Sequence, residues 1–226
     1  KFAEAHPQGG AFCGKLLKRR VETGAGVIDS TGVRITRSRR VLDRGEGEPD
    51  TGRYEAIEQV FGVSGAAALY RRTALAEAAE GDEFFDEFFF AYKEDVDLAW
   101  RLRLLGWEAW YVPMAVGYHL RGLARLPGWR GWWRRRRQRS RALRLLSYRN
   151  HRALLLKHEQ FSNLAIHAIP IGARELVAFT FVVVTEPFQL RGLGQLVKRL
   201  PRLYRQRRAL MRRRRVTARE MRKWFR

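Results

Sequence analysis

The first half of the chain runs in short apolar stretches, each closed by a turn signal. Residues 10–17 (GAFCGKLL) have the length and composition of a strand, and residues 24–36 (GAGVIDSTGVRIT) predict two strands around a Ser30-Thr31-Gly32 turn. Residues 37–53 are polar, charged and rich in Gly, and predict a surface loop. Residues 60–70 (VFGVSGAAALY) predict a buried strand that enters a helix at Arg71-Arg72-Thr73. That helix covers 73–79 and is stopped by Gly81, and residues 84–92 form an aromatic loop. Over 95–105, Val96, Leu98, Ala99, Leu102 and Leu105 recur at helical spacing, with Gly106 as C-cap. Residues 107–112 predict a strand, Pro113 a break, and residues 115–119 another strand. Strands alternating with helices indicate an α/β layered domain.

Beyond Gly122 the pattern changes. Residues 129–139 (WRGWWRRRRQR) set Trp129, Trp132 and Trp133 against a block of Arg. Residues 140–159 predict a long amphipathic helix, with Leu143, Leu146, Leu154, Leu155 and Leu156 among Arg and Lys. Residues 164–185 are the most apolar and are interrupted by Pro170, Gly172, Arg174 and Glu175. Their length allows a membrane span, but a central Arg costs ~2.5–3.5 kcal/mol on insertion scales. The clean part, 176–184, is nearer half a span. The expectation is therefore a helical hairpin in the membrane interface, or core packing, ahead of a transmembrane helix. Residues 188–226 form a basic tail. Two regions follow: 1–122, a folded domain, and 123–226, a basic amphipathic helical region suited to a membrane.

Charge sharpens that division. The 226 residues carry a formal net charge of +22. Residues 1–120 hold 16 Lys and Arg against 19 Asp and Glu, whereas residues 121–226 hold 29 against 4. The front resembles an ordinary globular domain, and the back is suited to a polyanion. Arg with interleaved Trp and Tyr suits nucleic acid, but no nucleic-acid motif is present. Leu periodicity and clustered Trp favour an anionic membrane surface at the cytoplasmic face, bound peripherally. Cys13 is the single cysteine, so neither an intrachain disulfide nor a cysteine zinc site can form; in its apolar run it is expected to be a small buried hydrophobe. The first residues hold neither a signal-peptide pattern nor an initiator Met, so the start is expected to be the middle of a longer sequence.

The candidate chemistry lies in Glu94-Asp95-Val96-Asp97 and in His119. A helix N-terminus keeps carboxylates ionised. Asp97 and Arg101 stand i, i+4 and can pair on the helix surface. That leaves Asp95, with Glu94, to face the end of the sheet, where ligands of open α/β sheets bind. A carboxylate there can take a proton from a hydroxyl nucleophile. His119, at a strand end, can ligate a divalent metal or a phosphate. The plainer alternatives are a helix cap for Asp95 and a core histidine for His119.

Motifs in order then carry a resemblance. They are Val63-Ser64-Gly65-Ala66, Tyr70-Arg71-Arg72, Phe85-Asp86-Glu87, Phe89-Phe90, Tyr92, Glu94-Asp95-Val96-Asp97-Leu98, Arg101-Leu102-Arg103, Gly106, Tyr111-Val112-Pro113, Ala115 and Tyr118-His119. This pattern, from about Phe12 to His119 and more loosely through Ser147-Tyr148-Arg149-Asn150, resembles the second half of a family 2 glycosyltransferase. The bacterial rhamnosyltransferase-like enzymes of cell-wall and surface polysaccharide assembly are the nearest in character. The resemblance implies a partial GT-A (nucleotide-diphospho-sugar transferase) fold and an inverting hexosyltransferase. It implies Asp95 as the base for the acceptor hydroxyl, Glu94 as its partner, and Ser64, Gly65 and Ala66 on the acceptor side. It also implies His119 as a ligand of a divalent metal (Mg2+ or Mn2+) and the diphosphate. The partners implied are a nucleotide-sugar donor and a glycan or lipid-linked acceptor.

One departure from the family pattern is marked. No Asp-x-Asp lies upstream of Glu94. The donor-binding half is therefore expected to be missing by truncation or supplied elsewhere, and this chain to be inactive alone. The alternative function is a non-catalytic basic membrane- or nucleic-acid-binding protein on a degenerate transferase fold.

Overall fold

The computed structural model describes residues 1–18, 26–119 and 128–226. The start of the strand predicted at 24 and the 122/123 boundary lie outside the described residues. A one-turn helix α1 (Phe2–Ala5) leads into the long strand β1 (Gly9–Lys18). Three short strands follow: β2 (Ile28–Ser30), β3 (Val33–Ile35) and β4 (Val41–Asp43). Then come β5 (Glu58–Gln59), β6 (Leu69–Tyr70), α2 (Arg72–Ala78), α3 (Glu94–Leu104) and β7 (Glu108–His119). The main sheet has the order β2-β1-β7-β5. Its centre is the parallel pair β1–β7; β2, β6 and β5 add antiparallel. The free edge of β1 is shared, β6 pairing at Ala11 and Phe12 and β2 at Leu16 and Leu17. The α/β expectation holds.

Three local expectations are corrected. Residues 60–70 are not one strand: β5 and β6 flank a turn at Ser64-Gly65-Ala66, because the small residues there find no ladder partner. The loop at 37–53 contains β4, which pairs with β3 at Ile35↔Val41. Pro113 does not break β7. The ladder with β1 passes from Cys13↔Tyr111 to Lys15↔Val116. The stretch lacking an N–H donor is thus bulged out of register, where its missing donor is not needed. A Cβ at Gly14 would overlap the Ala115 carbonyl, so this close approach requires glycine.

The back half is helical: α4 (Gly128–Gln138), α5 (Arg141–His158), α6 (Phe161–Ile166), α7 (Ala168–Thr185), a 3-10 turn (Pro187–Leu190), α8 (Arg191–Arg213) and α9 (Ala218–Arg222). Ser140 caps α5, accepting from the Leu143 N–H at 3.2 Å. Thr217 and Glu220 form a capping box on α9. The hydrophobic core is continuous between the two halves: Val96, Leu98 and Trp100 of α3 share it with Leu154, Leu196, Leu203, Met221 and Phe225. The chain end returns to the sheet region, the Arg226 N–H donating to the Ile35 carbonyl at 3.0 Å. Cys13 is buried as expected, and burial pushes its thiol up to about 12.

Candidate functional site

The acidic cluster sits where the aromatic loop turns into α3. Lys93, the N-cap, adopts a left-handed conformation (φ 73°), as do Phe90 (φ 55°) and Tyr92 (φ 65°). Three non-glycine residues in this region within four positions constitute stored backbone strain, which persists only where the surroundings enforce it. Asp95 lies in the first turn. Its Oδ2 accepts from the Gly65 N–H at 3.0 Å and its Oδ1 from the Val96 N–H at 2.8 Å. The turn at Ser64–Ala66 therefore rests on the carboxylate, bringing together two groups singled out in the sequence. Ser64 is buried, while Gly65 and Ala66 are exposed beside it.

Burial pushes the Asp95 carboxyl above its ordinary value, against the two N–H donors that favour its charge. The helix-end argument alone gives the opposite direction, so here desolvation outweighs the backbone dipoles. Glu94 is shifted the same way for the same reason, and its Oε2 is buried with no hydrogen-bond partner among the described residues. Each Asp95 oxygen accepts one hydrogen bond and keeps further acceptor capacity. A raised carboxylate with spare lone pairs is a stronger proton acceptor than an ordinary one and can receive a proton from a hydroxyl.

Asp97 has a different task. It pairs with Arg101 at 2.9 Å as the spacing predicts, but both are buried, not on the helix surface. Its other oxygen accepts from Lys157 Nζ at 2.9 Å and contacts His158 Nε2 at 2.8 Å. Lys157 also binds Asp86 at 2.9 Å and Glu80 at 2.6 Å. These cations hold the Asp97 carboxyl far below its ordinary range, although burial opposes them. The network ties the aromatic loop and α3 to α5.

His119 ends β7. Its Nδ1 lies 2.9 Å from Asp29 Oδ2 on β2, and no hydrogen bond or ion pair among the described residues joins it to Glu94 or Asp95. A carboxylate on one imidazole nitrogen is the usual support for a metal-binding histidine, since it fixes the tautomer with Nε2 as acceptor. No group of three or more acidic, His or Cys side chains able to hold a metal occurs among the described residues. The fit thus extends to one imidazole ligand and no further.

Sequence reasoning missed the clamp that shapes the site. Asn150 of α5 is fully buried, and its Nδ2 donates to the carbonyls of Phe89 (2.8 Å), Ala91 (3.0 Å) and Tyr92 (2.8 Å). Its neighbour Arg149 donates to the Phe88 carbonyl and lies 4.0 Å over the Phe88 ring. The strained loop before Glu94 is therefore fastened to α5. A signal existed: Leu146, Asn150, Ala153 and Leu154 share one helical face, so Asn150 is a polar residue at an inward position. Burial also brings Lys93 down to about 8.

No family model and no solved structure matches the chain. Part of this chain is similar to a rhamnosyltransferase. Over 68 residues it is 43% identical to the N-acetylglucosaminyl-diphospho-decaprenol L-rhamnosyltransferase of two Mycobacterium tuberculosis strains. The match covers 30% of this chain and 21% of each relative. The chain thus spans about a fifth of the length of the curated relatives it matches. This likeness supports glycosyltransferase chemistry at the level of the family.

Proposed function

We propose that this chain carries the acceptor-activating part of an inverting family 2 glycosyltransferase of the GT-A type. The observation that carries the reading is the Asp95 carboxylate, fixed by the Gly65 and Val96 N–H groups and raised by burial. The acceptor hydroxyl gives its proton to Asp95 as its oxygen bonds to the anomeric carbon of the donor. The bond from that carbon to the nucleoside diphosphate breaks, the diphosphate leaves with the electron pair, and the configuration inverts. Glu94 holds the same edge of the site, and the Ser64–Ala66 turn orients the acceptor. His119, backed by Asp29, would give one ligand to Mg2+ or Mn2+, a group that supplies charge neutralisation for the leaving diphosphate.

The relatives' name describes transfer to a sugar diphosphate on decaprenol. By that likeness the acceptor class proposed here is a polyprenyl-diphosphate-linked sugar, in cell-wall or surface polysaccharide synthesis. The donor class is a nucleotide-sugar, bound by a part of the enzyme not assigned to these residues, so the chain alone is proposed to be inactive. The strong positive balance of residues 121–226 supports a peripheral position on the anionic cytoplasmic face of the membrane as part of this reading. The test is Asp95→Asn in a longer protein that contains this chain and turns over. Transfer should fall by about 10²–10⁴ while donor affinity is retained. Unchanged transfer would move the base to another residue.

A further inference from the structure

Among the described residues, the most apolar helix, α7, touches the protein by a narrow stripe. Ile171, Arg174, Glu175, Ala178 and Val182 recur at helical spacing and turn inward. The charges within it, which argue in the sequence against membrane contact, are on this inner side. Glu175 contacts His151 at 3.0 Å and Arg152 at 2.8 Å, both on α5, and Arg174 bonds His151 and Glu175. Glu186, just beyond the helix, is likewise turned inward onto Arg136 and Arg144. The opposite face has no charge at all. Ile169 (85%), Leu176 (66%), Val177 (70%), Phe179, Val183 and Val184 (73%) stand exposed along it. The core-packing expectation for this segment is thereby overturned; only about 11% of the helix is buried.

We infer that this face of α7 is the surface that enters the bilayer, with the helix lying in the membrane plane. The inference extends the membrane attachment proposed above and rests on it for the identity of the lipid surface. Length permits a crossing, since eighteen residues rise about 27 Å. A crossing is opposed by what is bound to the inner stripe. The contacts of Glu175 with His151 and Arg152 tie α7 to α5, which bears Arg141, Arg144, Arg149, Arg152 and Lys157, and an upright α7 would draw those cations into hydrocarbon.

The in-plane pose instead puts the neighbouring groups where a membrane favours them. Trp132 packs on Phe181 near one end of α7 (ring centroids 5.5 Å apart), and Trp129 and Trp132 are exposed. Aromatic rings are favoured at headgroup depth. On the same helix, α4, Arg130, Arg134 and Arg137 are exposed to meet anionic headgroups. A second copy of the chain fits the face poorly, because each copy has a formal net charge of +22.

The test is flotation with phosphatidylcholine vesicles with and without phosphatidylglycerol, which reads binding and needs no turnover. A lost transferase activity with retained flotation would therefore count against the reaction alone. The native chain should float with the anionic vesicles. The double variant Leu176→Asp/Val177→Asp should partition at least about tenfold more weakly, with unchanged circular dichroism and melting, because both side chains are exposed. Environment-sensitive labels placed at residues 169, 177 and 184 should report one shallow depth. Equal flotation of the double variant overturns the inference, as does a deep centre with shallow ends. A native dimer that the double variant dissolves, with no flotation of either, overturns it in favour of self-association.

Discussion

Replacing Asn150 by Ala removes the side chain whose amide holds the Phe89–Tyr92 loop. The amide has two protons and faces three carbonyls at 2.8–3.0 Å, so one full hydrogen bond and one shared between two carbonyls are lost. At about 1 kcal/mol net for each proton, with a further 1–3 kcal/mol for a buried carbonyl left unpaired, the local loss is about 3–5 kcal/mol. The loop can recover part of this by opening. Phe90, Tyr92 and Lys93 hold left-handed strain, and opening that relaxes one of them releases about 1–2 kcal/mol. The global destabilisation should therefore settle near 2 kcal/mol. Local opening should rise by about 30-fold, the factor that 2 kcal/mol corresponds to. Hydrogen exchange of the N–H groups from 88 to 96, read with urea unfolding of the same samples, separates the two effects. Asn150→Asp keeps the shape but turns three acceptors onto a carboxylate, and should be worse than Ala. If exchange in this loop stays within about threefold of the native rate, the clamp does not hold the strain and the reasoning fails.

Two further outcomes follow from the buried charges. Asp97→Ala strands Lys157, Arg101 and His158 without their shared carboxylate and should cost about 3–5 kcal/mol, a fall in melting temperature on the order of 10 °C; a shift below about 2 °C contradicts the network. Acid should destabilise the fold before the depressed carboxyls of Asp97 and Glu175 titrate. Burial holds His151 and His158 down to about 4, whereas the unfolded chain binds protons near 6.5. Their contribution is fully present above pH 6.5 and is lost as pH falls from 6.5 towards 4, by about 2 kcal/mol per histidine at pH 5. The depressed carboxyls of Asp97 and Glu175 give stability that is present above about pH 4.5 and lost only at lower pH. A urea midpoint equal at pH 7.5 and pH 5 would show that the two rings are already charged in the fold.

The sequence pattern was a good guide wherever one element settles its own fate. The apolar spacing of Val96, Leu98, Ala99 and Leu102 marks α3 to within one residue, and every one of those side chains is buried. It was a poor guide where a distant partner decides. Pro113 breaks a strand only if the ladder needs its donor, and a bulge opposite Gly14, a hundred residues away, removes the need. Residues 60–70 have the hydrophobicity of a strand, but Gly65 is taken up by the Asp95 carboxylate. Asp29 cannot be tied to His119 from its own surroundings, since it looks like part of a strand and turn. Composition alone could not show that Arg174 and Glu175 face the protein, although their register with Ile171 and Val182 contains that information.

The motif and the helix behind it form one unit. Glu94-Asp95 supplies the carboxylate, but nothing within the motif holds Phe90, Tyr92 and Lys93 in left-handed conformations. That work falls to α5, through Asn150 and Arg149 at the loop and Lys157 and His158 at Asp97. One residue on from Asn150, His151 holds the charged stripe of α7. A single helix therefore carries, on adjacent residues, the support of the base and the anchor of the exposed apolar face. Any tilt of α7 against α5 bears on the residue next to the clamp. Since the strained loop relaxes once its carbonyls are released, the placement of Asp95 depends on α5 being held at both of its contacts.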